Sequence, residues 1–124
     1  MDKRDPNAPV DVLIALRDEL RRFAADRDWD QFHSPKNLAS ALSVEAAELL
    51  EPFQWLTEEQ SRHLTAEQSE AVREEMADVL LYLIRLADKL DIDLVAAASD
   101  KIVRNAARYP IETARGSSKK HSDL

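Results

Sequence analysis

Between residues 72 and 90 the apolar side chains Val72, Met76, Val79, Leu83, Leu86 and Leu90 recur in steps of 4-3-4-3-4. That spacing lays them along one stripe of an α-helix, the seam along which bundled helices pack. A strand, with its period of two, does not produce it. Such a stripe needs partners, and three further amphipathic segments supply them. One runs from Val10 to about Arg27, with Leu13, Leu16, Leu20 and Phe23 inward and Arg17, Asp18, Arg21 and Arg22 on a solvated face. A second follows Pro35 and carries Leu38, Leu42 and Leu49; a third spans 94–109, with Leu94, Ala97, Ala98, Ile102 and Val103 inward. With one glycine in 124 residues there is little to interrupt helices. The expectation is an all-α fold, a four-helix bundle in one domain large enough for a real core.

Local chemistry sets the ends of these helices. Ser34 and Pro35 read as N-cap and first helical residue. Pro52 has no N–H to bond the carbonyl of Glu48, so the second helix must bend there. Thr57 with Gln60 and Thr65 with Gln68 have the capping-box spacing. They open a short extra helix over 57–63 and the long one over 65–90. Asp93 caps the last helix and Pro110 ends it. Residues 1–9, with two prolines and no apolar pattern, read as a flexible lead-in; 113–124 reads as a polar, disordered tail. The folded domain is thus expected over 10–112.

A formal net charge of −7 argues against broad binding to nucleic-acid polymers or anionic membranes. It leaves room for a small phosphorylated ligand, because a bound divalent ion inverts the local field. Without cysteine there is no disulfide framework and no thiolate chemistry. No apolar run approaches the roughly 18–20 residues of a membrane span, and the charged N-terminus has no signal-peptide core. A soluble cytoplasmic protein is the expectation.

The chemistry lies where the stripes are broken. Glu45 falls three residues after Leu42 and four before Leu49, where an apolar residue belongs. Glu48 follows one turn on, and Glu75 and Asp78 repeat the pair among Met76, Ala77, Val79, Leu80 and Leu81. Paired carboxylates repel, and burying them unpaired costs far more. Two such pairs on facing helices call for a cation; four carboxylates without His or Cys suit Mg²⁺, or Mn²⁺ as a substitute. The spacing by itself is weak evidence among 24 acidic residues. Asp2/Asp5, Glu67/Glu70 and Asp88/Asp91 share it and read as solvated surface, and a polar helix face is the competing explanation.

Several neighbours invite two readings. Glu51 is either an exposed helix end or a catalytic carboxylate. Trp29, Phe32 and His33 in the first link, and Phe53 and Trp55 after the bend, either stack on a flat ligand or seal helix junctions. Tyr82 lies one turn beyond Asp78 as pocket wall or core edge. Lys101, Asn105 and Arg108 share a face, as a phosphate-binding edge or as surface charge near a helix C-terminus. Two other classes are open. A carboxylate-bridged di-iron bundle needs Glu-x-x-His motifs, and none of His33, His63 and His121 sits three after a glutamate. A non-enzymatic helical adaptor accounts for the stripes but not for carboxylates in apolar settings.

Four ordered patterns bear on these readings. They are W-x-x-F-H-x-P-K-N-L (29–38), E-A-A-E-L-x-E-x-F-Q-W (45–55), E-x-A-D-V-x-x-Y (75–82) and K-x-x-x-N-x-x-R-Y-P (101–110). Together they resemble the MazG-like all-α nucleoside triphosphate pyrophosphohydrolases, most of all the dCTP pyrophosphatase branch, over roughly residues 10–112. The resemblance implies a dimer or tetramer with active sites between subunits. It implies Mg²⁺-dependent cleavage of a (deoxy)nucleoside triphosphate, dCTP or a modified dCTP, to the monophosphate and pyrophosphate. It further implies Glu45, Glu48, Glu75 and Asp78 as metal ligands; beside it, the chemistry of such a site makes a carboxylate near the metal, Glu48 or Glu51, the candidate catalytic base. Trp29, His33, Trp55 and Tyr82 then fall in the nucleotide pocket, and Lys101, Asn105 and Arg108 on phosphate or base contacts. The chain departs from the pattern at Val44, where such sequences often carry a second glutamate beside Glu45, and at Pro52.

Overall fold

The computed structural model describes residues 11–120 and 122; the expected lead-in over 1–9, the Asp2/Asp5 pair and the last residues of the tail lie outside that range. Among the described residues there are helices and connections but no strand: α1 (Val12–Asp26), α2 (Pro35–Leu50), α3 (Glu58–Arg62), α4 (Ala66–Lys89), α5 (Leu94–Arg108) and α6 (Ile111–Ala114), with a single 3₁₀ turn at Asp30–Phe32. They fall into two compact units, 1–91 and 92–124.

The helix starts follow the capping chemistry. Asp11 Oδ1 accepts from the N–H groups of Leu13 and Ile14 at 3.0 and 3.2 Å. Ser34 Oγ accepts from Asn37 N–H at 3.2 Å, with Pro35 opening α2. Thr57 and Thr65 each form a complete capping box with Gln60 and Gln68. Asp93 accepts from Ala96 N–H at 3.0 Å. These bonds satisfy orphan donors of the first turns. Behind α1 and α4, Asp28 and Asp91 each take φ +54°, a left-handed turn more often given to glycine.

In the first unit α4 packs against α2 and α1. Leu38 is 1 % exposed, and Ala24, Ile84 and Ala87 complete the buried apolar set. The stripe on α4 is not buried as its spacing predicts: Met76, Leu83 and Leu90 are exposed, and Ile84, Arg85 and Ala87 take the inner positions. The reason is that α4 is apolar on more than one side through Leu80, Leu81, Leu83, Ile84 and Leu86. Its two partners in the chain cover only one of those sides.

In the second unit α5 departs more sharply. Ile102 and Val103 are 68 % and 71 % exposed, Ala97 and Ala98 are exposed too, and only Leu94 of the predicted inner face is half-buried. The companion within the unit, α6, is a single turn of four residues, too short to cover a fifteen-residue helix. That turn falls where the tail was expected to begin: the Pro110 carbonyl accepts from Ala114 N–H at 2.8 Å and starts a fresh helix.

Candidate metal centre and adjoining cavity

α2 and α4 pack side by side, and the two breaks in their apolar faces meet. One carboxylate oxygen from each of Glu45, Glu48 and Glu75 lies within 4.8 Å of the others, all half-buried. Glu45 Oε2 and Glu75 Oε2 are buried with no hydrogen-bond partner. Water-excluded carboxylate oxygens without a donor are costly, and three such groups crowded together are more so. The electrostatics register that cost. Burial, then hydrogen-bond contact with Glu48 and its charge, the charge of Asp78 and contact with Glu75, pushes the Glu45 carboxyl up to about 7. Burial and the charge of Glu48 also raise Glu75. The raised proton affinity of these groups marks a place where positive charge is favoured. Three to four hard oxygens at this spacing, two of them lacking any donor, fit a divalent ion such as Mg²⁺.

Asp78 is not within the 4.8 Å set, but its charge acts on both Glu45 and Glu75. It also lines a cavity of about 210 Å³ with Leu20, Phe23, Trp29, His33, Tyr82 and Arg85 among its walls. Asp78, Tyr82 and Arg85 follow one another at steps of four and three, one face of α4. Trp29 and His33 reach the cavity from the 3₁₀ turn. The Trp29 ring meets Phe23 edge-on, centroids 5.6 Å apart at 73°, and meets His33 at 6.4 Å and 66°. The carboxylates and one group of aromatics predicted from sequence thus share one region. The aromatics seal the junction of α1 and α4 and line a cavity at the same time.

Other predicted site residues stand apart. Glu51 caps the C-terminus of α2, exposed and outside the cluster. Trp55, in the turn after Pro52, is 87 % exposed and does not line the cavity. Lys101, Asn105 and Arg108 are exposed along one side of α5, in the second unit.

Sequence reasoning missed Arg85 and misjudged Asp88. Asp88 is not solvated surface: it pairs with Arg21, whose Nε donates to Oδ2 at 2.8 Å, and faces Arg85 at 3.5 Å. Arg85 is 6 % exposed; its Nη2 donates to Asp30 Oδ1 at 2.7 Å and its Nε to His33 Nδ1 at 3.1 Å. Lys89 also pairs with Asp30. The hydrogen bonds of Arg21 and Lys89 hold the Asp88 and Asp30 carboxyls below the usual range. One signal was available: Arg85 is the lone charge in the apolar run 79–86. A buried cation is tolerated only with partners, and Asp88 and Asp30 are those partners.

Residues 40–124 match the MazG-like family. dCTP pyrophosphatase 1 of Mus musculus is 42 % identical over 119 residues, which is 94 % of this chain and 70 % of that protein. The Homo sapiens protein of the same name is 41 % identical over the same shares. A crystal structure of a pyrophosphatase from Archaeoglobus fulgidus superposes with a TM-score of 0.78 at 37 % identity, covering 86 % of this chain and 99 % of that one.

Proposed function

The chain belongs to the MazG-like family, and on that premise we propose that it is a dCTP pyrophosphohydrolase, cleaving dCTP or a modified dCTP to the monophosphate and pyrophosphate. The broader activity, hydrolysis of nucleoside triphosphates, rests on the curated relatives and on the pyrophosphatase neighbour together. The observation that carries it is the crowded set Glu45, Glu48 and Glu75 with two donorless buried oxygens.

Glu45, Glu48, Glu75 and Asp78 would hold a divalent cation, Mg²⁺ by preference. When bound, the cation supplies positive charge to the triphosphate oxygens and to an attacking water. The chain's own residues do the rest. Glu48, or Glu51 one turn beyond it, accepts the proton of the attacking water. Asp78 joins the carboxylate cluster to the cavity, so a triphosphate anchored at the first places its base in the second. Trp29 and Tyr82 offer that base aromatic faces, and His33 a polar ring. Lys101, Asn105 and Arg108 are proposed to take phosphate or base contacts.

A homo-oligomer, dimer or tetramer, is the proposed working form. What supports it is the apolar surface each unit leaves open: Met76, Leu80 and Leu83 on α4 in the first, and Ile102 and Val103 on α5 in the second. Trp55, 87 % exposed in one chain, is proposed to contribute to a neighbour's site in that assembly.

Incubating the pure protein with each dNTP and Mg²⁺, and identifying the products by chromatography, tests the proposal. dCMP and pyrophosphate in equal amounts, formed faster than the products of other dNTPs, are expected. No turnover of any dNTP, or release of inorganic phosphate with a diphosphate, would overturn it.

A further inference from the structure

His33 lines the cavity with its backbone pinned and its ring held on two sides. Its backbone N–H is bonded to Asp30 O at 3.1 Å. The Trp29 ring stands against it edge-on. Arg85 Nε donates to Nδ1 at 3.1 Å. A guanidinium has donors only and keeps its charge at any ordinary pH. The nitrogen it bonds must therefore present a lone pair, and the ring proton belongs on Nε2. Arg85 is itself fixed, buried and gripped by Asp30 at 2.7 Å and Asp88 at 3.5 Å. It forms part of the wall between the cavity and a second, charged groove of about 330 Å³ lined by Arg21, Ala25, Asp30, Asp88 and Lys89. Among the described residues Nε2 has no hydrogen-bond partner. It is a polar atom left open on a residue that lines the cavity.

We propose that Arg85 is a positioning residue for base discrimination: it locks His33 as the neutral Nε2–H tautomer, and that fixed donor takes the N3 acceptor of a cytosine ring lying in the cavity. The inference rests on the dCTP reading above and deepens it. Cytosine offers two adjacent acceptors, N3 and O2, on its pairing edge. Uracil and thymine carry a hydrogen on N3, so a donor held opposite that atom meets another donor. An imidazole free to exchange tautomers could offer its lone pair instead and would accept both rings. Burial lowers the proton affinity of His33, and the charges of Arg85 and Lys89 add to that effect against Asp30; the ring is thereby kept neutral. Stacking on Trp29 and Tyr82 tolerates any base. The polar discrimination that stacking lacks comes from this one nitrogen.

The test joins a spectroscopic signature to a specificity ratio. Nitrogen-15 NMR of the imidazoles, with the His33 signals assigned through His33→Gln, should show Nδ1 unprotonated and Nε2 protonated in the wild-type protein. In Arg85→Met, which keeps the bulk and removes the donor, the two tautomers should mix. The ratio of kcat/KM for dCTP over dUTP should fall roughly three- to tenfold, the value of one hydrogen bond, mainly through KM for dCTP. His33→Phe leaves the Arg85 ion pairs with Asp30 and Asp88 in place and should lose the same discrimination. His33→Gln, whose amide can supply an N–H near the position of Nε2, should keep most of it. If Arg85→Met does not fold, the two His33 variants and the wild-type tautomer decide the matter. A wild-type ring protonated on Nδ1, or an unchanged dCTP-to-dUTP ratio in His33→Phe, overturns the inference while leaving the dCTP reading intact. A wild-type protein that cleaves no dNTP removes both.

Discussion

Three carboxylates within 4.8 Å of one another are an unstable arrangement unless something positive or a proton sits among them. In Glu45 the proton is held up to about 7, against an ordinary 4.5. The folded chain therefore keeps a proton that the unfolded chain releases. Its contribution favours folding at the acid side and is lost as pH climbs from about 4.5 through about 7. A divalent cation competes for the same oxygens. Its affinity should accordingly rise across that window, which titration calorimetry at several pH values would show; affinity independent of pH between 5.5 and about 8 would contradict the raised Glu45. Glu48→Ala and Asp78→Ala should each reduce turnover by orders of magnitude while leaving the helical circular dichroism largely unchanged. Near-normal kcat in both would remove the metal-site argument. Arg85 shows a different logic at the same scale: the lone charge in an apolar run, it donates a hydrogen bond to Nδ1 of His33.

At the scale of elements, α2 and α4 bring their acid pairs together because both helices break their apolar stripe on the face they share. The caps at Ser34, Thr57, Thr65 and Asp93 were legible in the sequence because capping is local, a matter of one side chain and the next turn. The Glu45–Glu48 and Glu75–Asp78 pairs were legible for the same reason. What was not legible depends on distant partners. Spacing alone could not say which of the apolar faces of α4 is covered, nor that Asp30, 55 residues away in sequence, joins Asp88 at Arg85. The face of α5 reads as a core stripe, yet Ile102 and Val103 are open in the single chain. The aromatic elements give the next prediction. Stacking is worth about 1–3 kcal/mol per base, so Trp29→Ala and Trp55→Ala should each raise KM for dCTP roughly five- to 150-fold with a smaller fall in kcat. Trp29 also packs on Phe23, so its loss should lower Tm; Trp55, 87 % exposed in one chain, should cost Tm little. Unchanged KM in both variants would exclude the stacking pocket.

For the whole molecule, exposed apolar residues on α2, α4 and α5 exceed what a soluble monomer commonly leaves open. Sedimentation of the purified protein at micromolar concentration should give a dimer or tetramer, and a clean 14.1 kDa monomer would count against shared sites. None of the described helices is long and apolar enough to cross a membrane. The account as a whole depends on the carboxylates of α2 and α4 being a divalent-metal centre that receives a triphosphate. The most direct measurement is electron paramagnetic resonance of Mn²⁺ titrated into the protein with a non-hydrolysable dCTP analogue, for wild type and for Glu45→Gln and Glu75→Gln. The account predicts saturable Mn²⁺ binding to the wild-type protein, weakened at least tenfold in each variant. Equal Mn²⁺ affinity in all three proteins would contradict it.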